Sequence, residues 1–213
     1  MDVPLKYTRI FLWRHPEVQG ARDGRYFGHT DVPLTRQGKA QLKAVLKRMS
    51  YEKISAIYSS DLQRSRMMAD AIGRNNNPRR KVEVLESLRE LNLGQWEGLS
   101  FQDIARRYPQ ELAARQADLA NFRIPGGESL EELAQRLVPA FQQMVADNQG
   151  GIICVVAHAG VNRVILAKML GAPLERVFRL EQEYACLNLI DVYEDGIPVI
   201  KRVNEPPAID EEE

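Results

Sequence analysis

Six apolar residues in succession, Ile152–Ala157 in "GIICVVAHAG", constrain this chain more than any other stretch. A strand with one wet face alternates apolar and polar residues. An unbroken run belongs to a strand covered on both faces, the centre of a parallel sheet with helices on either side. A second run, residues 10–13 in "RIFLWRHPEV", has the same character. Both runs stop on a histidine: His158 closes the later one, and the pair Arg14-His15 closes the earlier. Ligands of open α/β sheets sit beyond the carboxyl ends of the strands. If these two strands are neighbours, two of the chain's 3 histidines face each other there.

Strands and helices alternate through the remaining chain. Strands are expected at 8–13, 54–59, 81–86 and 152–157, and a late hairpin turns at Asp195-Gly196. Thr35 caps a helix over 36–49, and a second helix runs through 61–74. Short helices cover 101–107 and 109–119. Ser129 and Glu132 have the spacing of a capping box, opening a long helix whose Leu130, Leu133, Leu137, Phe141 and Met144 share one face. Pro139 lies inside that helix and is expected to kink it. A further helix over 161–171 ends at Gly171. No repeat or linker interrupts the pattern, which reads as one α/β domain over 1–213 with a mainly parallel sheet. The tail, 205–213, is expected to fray.

Composition narrows the possible partners. Lysine plus arginine and aspartate plus glutamate balance at 29 each, so no global field favours nucleic acid or an anionic membrane. No apolar run reaches the length of a membrane span, and the start, "MDVPLKYTRIF", lacks the pattern of a signal peptide. The 2 cysteines, Cys154 and Cys186, lie in apolar stretches and read as free thiols of a reducing compartment. The expected location is cytoplasmic. Oligomeric state is not legible.

An anion site must therefore come from local arginines. Arg14 precedes His15, and Arg64 follows the second strand in "YSSDLQRS". A guanidinium fork matches phosphate or carboxylate oxygens. The helix after His158, starting with Ala159 and Gly160, offers backbone N–H groups to an anion. "LRELNLGQWEG" brings Glu90 and Glu97, and an acid in the same cleft would protonate a leaving oxygen.

At these residues the chain resembles the histidine phosphatase superfamily, the phosphoglycerate-mutase-like proteins. "WRHPEV", "GHTDVPLTRQGKAQ", "IYSSDLQRS", "LRELNLGQWEG", "IPGGES" and "VVAHAGVNR" are similar to six family segments and stand in the family's order. The resemblance implies a three-layer α/β sandwich. It implies that His15 is the nucleophile, that Arg14, Arg64 and His158 hold the phosphoryl oxygens, and that Glu90 protonates the leaving group. The implied reaction is hydrolysis of a small phosphorylated metabolite without metal or other cofactor. The carboxy-terminal part looks like α-ribazole phosphatases, so α-ribazole 5′-phosphate is one implied substrate and a sugar phosphate another.

The chain departs from the family pattern at Pro16 (a glycine in the family), at Ala21 (an asparagine, for which Gln19 is the expected substitute at the phosphate) and at Met68 (a threonine). Proline at 16 pushes His15 toward an extended conformation. Alternative readings are a phosphoglycerate mutase, a phosphate-binding module without turnover, and a metal site of His15, Glu17 and His158. His29 either lines the mouth of the cleft or bonds within its own loop. Trp96 is expected to pack beneath the acid loop. Arg22, Arg25 and Arg123 lie on loops within reach of a leaving group.

Overall fold

The computed structural model describes residues 7–77 and 81–209. Six strands form one sheet: β1 (Tyr7–Arg14), β2 (Ala56–Ser59), β3 (Val82–Val84), β4 (Ile152–Ala157), β5 (Leu187–Tyr193) and β6 (Pro198–Glu205). Their order is β3-β2-β4-β1-β5-β6. The first four are parallel, and β5 and β6 are added antiparallel at one side. The two apolar strands are indeed neighbours at the centre, with Arg14 opposite Ala157.

Pleating sends alternate residues of β1 into different cores. Ile10 and Leu12 face one layer, and Phe11 and Trp13 face the other. The first layer is built by α5 (Leu130–Asp147) and α6 (Ala159–Met169), the second by α1 (Arg36–Met49) and α2 (Gln63–Asn76). The result is the expected three-layer sandwich. Each fully buried aliphatic side chain contributes about 1.5–3 kcal/mol of transfer free energy, which is why the unbroken run settles at the centre.

The caps follow the sequence. Thr35 Oγ1 accepts the Gly38 N–H at 2.9 Å. Ser129 and Glu132 complete their capping box. Pro139 does not end α5, which runs unbroken past it. Pro139 and Gln135, whose carbonyl loses its i+4 donor, are both exposed. At the hairpin, Gly196 takes a φ of 81°, which glycine tolerates without strain.

Boundaries shift in places. β2 and β3 are shorter than expected, and α6 starts two residues earlier, directly after His158. Glu205 does not fray: it pairs with Leu187 in the sheet and forms an ion pair with Arg202. Residues 210–213 of the expected tail lie outside the described residues. Two short helices, α3 (Phe101–Arg107) and α4 (Pro109–Ala117), stand over the carboxyl edge of the sheet with the 94–124 segment. Among the described residues no helix is long and apolar enough to cross a membrane.

Candidate active site

Parallel pairing of β1 and β4 places the two histidines together. The His15 N–H donates to the Ala157 carbonyl at 3.0 Å and the His15 carbonyl accepts from Ala185 at 3.1 Å, so the chain stays extended through Pro16. The imidazole centroids of His15 and His158 lie 5.1 Å apart. Both residues are buried, at 4% and 0% exposure.

His15 is held in one tautomer. Its Nδ1 lies 2.8 Å from the Pro16 carbonyl, which can only accept, so Nδ1 carries the proton. Nε2 then has a free lone pair, and the Arg64 Nε–H donates to it at 3.2 Å. Burial lowers the His15 pKa well below its ordinary value, and Arg64 and Arg14 lower it further. The ring is therefore neutral at neutral pH. His158 is neutral for the same first cause, burial, assisted by Arg64, His15 and Arg14. Its Nε2 meets Ser60 Oγ at 2.7 Å, and its Nδ1 is buried with no partner.

Arg64 stands in the first turn of α2 and is 1% exposed. Its guanidinium also donates to the carbonyls of Thr30 (2.8 Å), Phe27 (3.3 Å) and Gly28 (2.6 Å), which ties loop 27–30 to the floor. Arg14 donates to the Gln182 carbonyl at 2.6 Å and lies 3.6 Å from the Tyr184 ring centroid, while its Nε is buried without a partner.

Glu90 is seated at the amino terminus of α6. The Gly160 N–H lies 3.1 Å from both carboxylate oxygens, and the Leu91 N–H donates to Oε1 at 2.8 Å. A Cβ at position 160 would fall on Glu90 Oε1, so a larger residue there would displace the carboxylate from this seat. The acid loop is fastened from behind by Arg136, which reaches the Ser87 and Glu90 carbonyls and both oxygens of Glu128. Burial raises the Glu128 pKa, but the Arg136 fork and the Asn92 N–H outweigh it and hold the carboxyl below its ordinary value. This is the work of the "GGES" segment.

A cavity of about 540 Å³ opens over these groups. Arg14, His15, Arg64, Glu90, Ala159 and Gly160 line its floor. Gln19 does not line it: the side chain is exposed, and its backbone N–H is spent on the Pro33 carbonyl. Ala21 does border the cavity, but has no donor to offer. Glu17 is drawn away from the histidines, its Oε1 accepting from Thr35 at 2.6 Å with Arg22 at 3.5 Å. Among the described residues no group of three or more His, Cys, Asp or Glu side chains could hold a metal ion.

His29 neither lines the mouth nor bonds its own loop. Its Nε2 lies 2.9 Å from the Glu90 carbonyl, so it braces the acid loop. Arg25 borders the cavity, whereas Arg123 pairs with Glu132 and does not. Trp96 packs in the core as expected and also borders the cavity. Sequence reading missed Ser60, Tyr184, Arg163 and Arg115. Only Ser60 carried a signal, as a hydroxyl next to the carboxyl end of β2.

The histidine phosphatase superfamily (branch 1) profile matches residues 10–206. The chain is 37% identical over 161 residues to phosphoglycerate mutase-like protein 4 of Arabidopsis thaliana, covering 74% of this chain and 69% of that protein. It is 26% identical over 196 residues to adenosylcobalamin/alpha-ribazole phosphatase of Salmonella typhimurium, covering 92% and 96%. It spans about half the length of three mycobacterial relatives matched at 30% identity, 54% of each. A mycobacterial glucosyl-3-phosphoglycerate phosphatase structure superimposes with a TM-score of 0.82 at 26% identity, covering 93% of this chain and 99% of that one. Central parallel strands ending on paired histidines, and a match over nearly the whole chain, make this protein a member of the histidine phosphatase superfamily.

Proposed function

We propose that this chain hydrolyses the phosphomonoester of a small phosphorylated metabolite by way of a phosphohistidine at His15. The observation that carries the reading is the fixed tautomer. With Nδ1–H bound to the Pro16 carbonyl, Nε2 is a neutral nucleophile that needs no deprotonation.

In the first step the Nε2 lone pair attacks phosphorus. The N–P bond forms as the ester P–O bond breaks, and the leaving oxygen takes a proton from the Glu90 carboxyl. In the second step water attacks phosphorus, its proton passes to the Glu90 carboxylate, and the N–P bond returns its electrons to Nε2. Arg14 Nε–H, Arg64, His158 Nδ1–H and the Ala159 N–H surround the phosphoryl oxygens. Two of these nitrogens, Arg14 Nε and His158 Nδ1, are buried without a hydrogen-bond partner in the protein, and a phosphoryl oxygen would supply the acceptor once Ser60 donates to His158 Nε2. Phosphoryl transfer is mainly positioning and charge stabilisation, and these groups supply both. The substrate falls among small phosphorylated metabolites, with α-ribazole 5′-phosphate and sugar phosphates as candidates.

The test is hydrolysis of phenyl phosphate with EDTA present, comparing the unaltered protein with His15→Ala. Turnover that survives chelation and is lost in the variant supports the reading. Turnover that persists in His15→Ala, or that the chelator abolishes, overturns it.

A further inference from the structure

The outer wall of the cavity carries a cation that the phosphoryl site does not use. Arg115 projects from α4 and borders the same cavity as His15. Its guanidinium lies 5.9 Å from the Trp96 ring centroid and 6.0 Å from that of Phe178. Its Nη1 is buried with no hydrogen-bond partner, and no described carboxylate pairs with it. Trp96 is 4% exposed, also borders the cavity, and its Nε1 is likewise buried without a partner. Burial alone lowers the Arg115 pKa, consistent with a desolvated cation lacking a counter-charge.

The other arginines of the cavity each donate at least one hydrogen bond, and Arg14, bound to Gln182, keeps its free Nε for the phosphoryl site. Arg64 is spent on His15 and three carbonyls, Arg163 donates to Leu180, and Arg25 donates to Gly98. Arg115 as a whole is half-buried, but a buried guanidinium N–H without an acceptor is costly to maintain, and aromatic faces compensate only part of it. Phe101, Leu112 and Phe178, which line the same cavity, are apolar or aromatic, and Arg163 shares the Phe178 ring with Arg115.

We infer that Arg115, with Trp96 beside it, forms a subsite for a second anionic group carried by the leaving group of the substrate, a carboxylate or a second phosphate on a body with apolar faces. The inference rests on the phosphatase reading and narrows it. Within that reading it favours acid- or phosphate-bearing sugar esters over α-ribazole 5′-phosphate, whose leaving group is uncharged.

The experiment compares phenyl phosphate with 4-carboxyphenyl phosphate, 4-(2-carboxyethyl)phenyl phosphate and 4-phosphonophenyl phosphate, using the unaltered protein, Arg115→Met and Arg115→Lys. Calorimetric titration with phenylphosphonate and 4-carboxyphenylphosphonate runs alongside. The unaltered protein is expected to prefer an anionic ester by roughly 10- to 100-fold in kcat/KM, as a charge-assisted hydrogen bond provides. Arg115→Met should collapse that ratio and Arg115→Lys restore part of it. Preference for the carboxylate or the phosphonate tells the two anions apart. Because each ratio is taken within one protein, a partly misfolded variant does not imitate the result. Equal handling of charged and uncharged esters, or a ratio unmoved in Arg115→Met, overturns the subsite. If nothing is hydrolysed, the phosphatase reading fails. The subsite then stands only if the carboxylated phosphonate binds more tightly than the plain one and loses that advantage in Arg115→Met.

Discussion

At the floor of the cavity, and behind it at His158, each ionisable side chain has at least one hydrogen-bond partner. His15 bonds Pro16, His158 bonds Ser60, Arg64 bonds three carbonyls, Arg14 bonds Gln182 and Glu90 bonds Gly160. On the outer wall Arg115 has aromatic faces for neighbours and no hydrogen bond. The floor is fixed by central strands whose ends cannot move without breaking the sheet. The wall is carried by short helices and loops. A rigid floor suits groups that must meet a phosphorus atom within tenths of an ångström. A wall of separate elements suits selection among leaving groups, since it can vary without disturbing the floor.

The comparison breaks most sharply at His15. His15→Asn keeps a polar side chain but removes the proposed nucleophile, and kcat on phenyl phosphate should fall about 10⁴-fold or more. A fall of less than tenfold would place the chemistry elsewhere. Arg64→Met is next. It removes the donor to His15 and leaves three carbonyls of loop 27–30 short of a partner. kcat should drop roughly 10²- to 10³-fold, and thermal unfolding should move to lower temperature.

Acid stability sharpens the contrast further, because both floor histidines are buried and neutral. Their folded pKa values lie below the unfolded value of about 6.5. Below that pH the unfolded chain binds more protons than the folded one. Stability is therefore full above about pH 6.5 and is lost as pH falls toward the depressed folded values, at up to about 1.4 kcal/mol per pH unit for each histidine. Denaturant midpoints measured from pH 7.5 to 5 should show this slope, and His158→Asn should flatten it. An unchanged slope would mean another group dominates.

The smallest effect is expected at Ser60, which touches no reacting atom in this reading and acts through His158. Ser60→Ala should lower kcat about 2- to 10-fold, with Ser60→Thr restoring most of it. A general fall in stability that threonine does not mend would mark Ser60 as structural only.

The floor was legible because its chemistry sits at the ends of apolar runs. Sheet pairing converts "two strands ending on histidine" into two histidines in contact. Glu90 was legible as an acid within the resembling loop, but not its anchorage by Gly160 or the bracing by Arg136 and His29, which join segments 46 to 70 residues apart. Gln19 went astray because its place depends on how loop 16–35 folds, and there its side chain faces solvent. The cap at Thr35 and the box at Ser129 were local, and so were read correctly.

The sequence by itself determined the layering, the strands that lie at the centre, the helix caps and the ionisable residues at the strand ends, because periodicity and capping act within a few residues. Only the tertiary structure decided which tautomer His15 holds, what fastens Glu90 and where Arg115 stands. The tautomer follows from the backbone conformation that turns the Pro16 carbonyl onto Nδ1, and the other two depend on groups brought from distant segments; no local pattern records either.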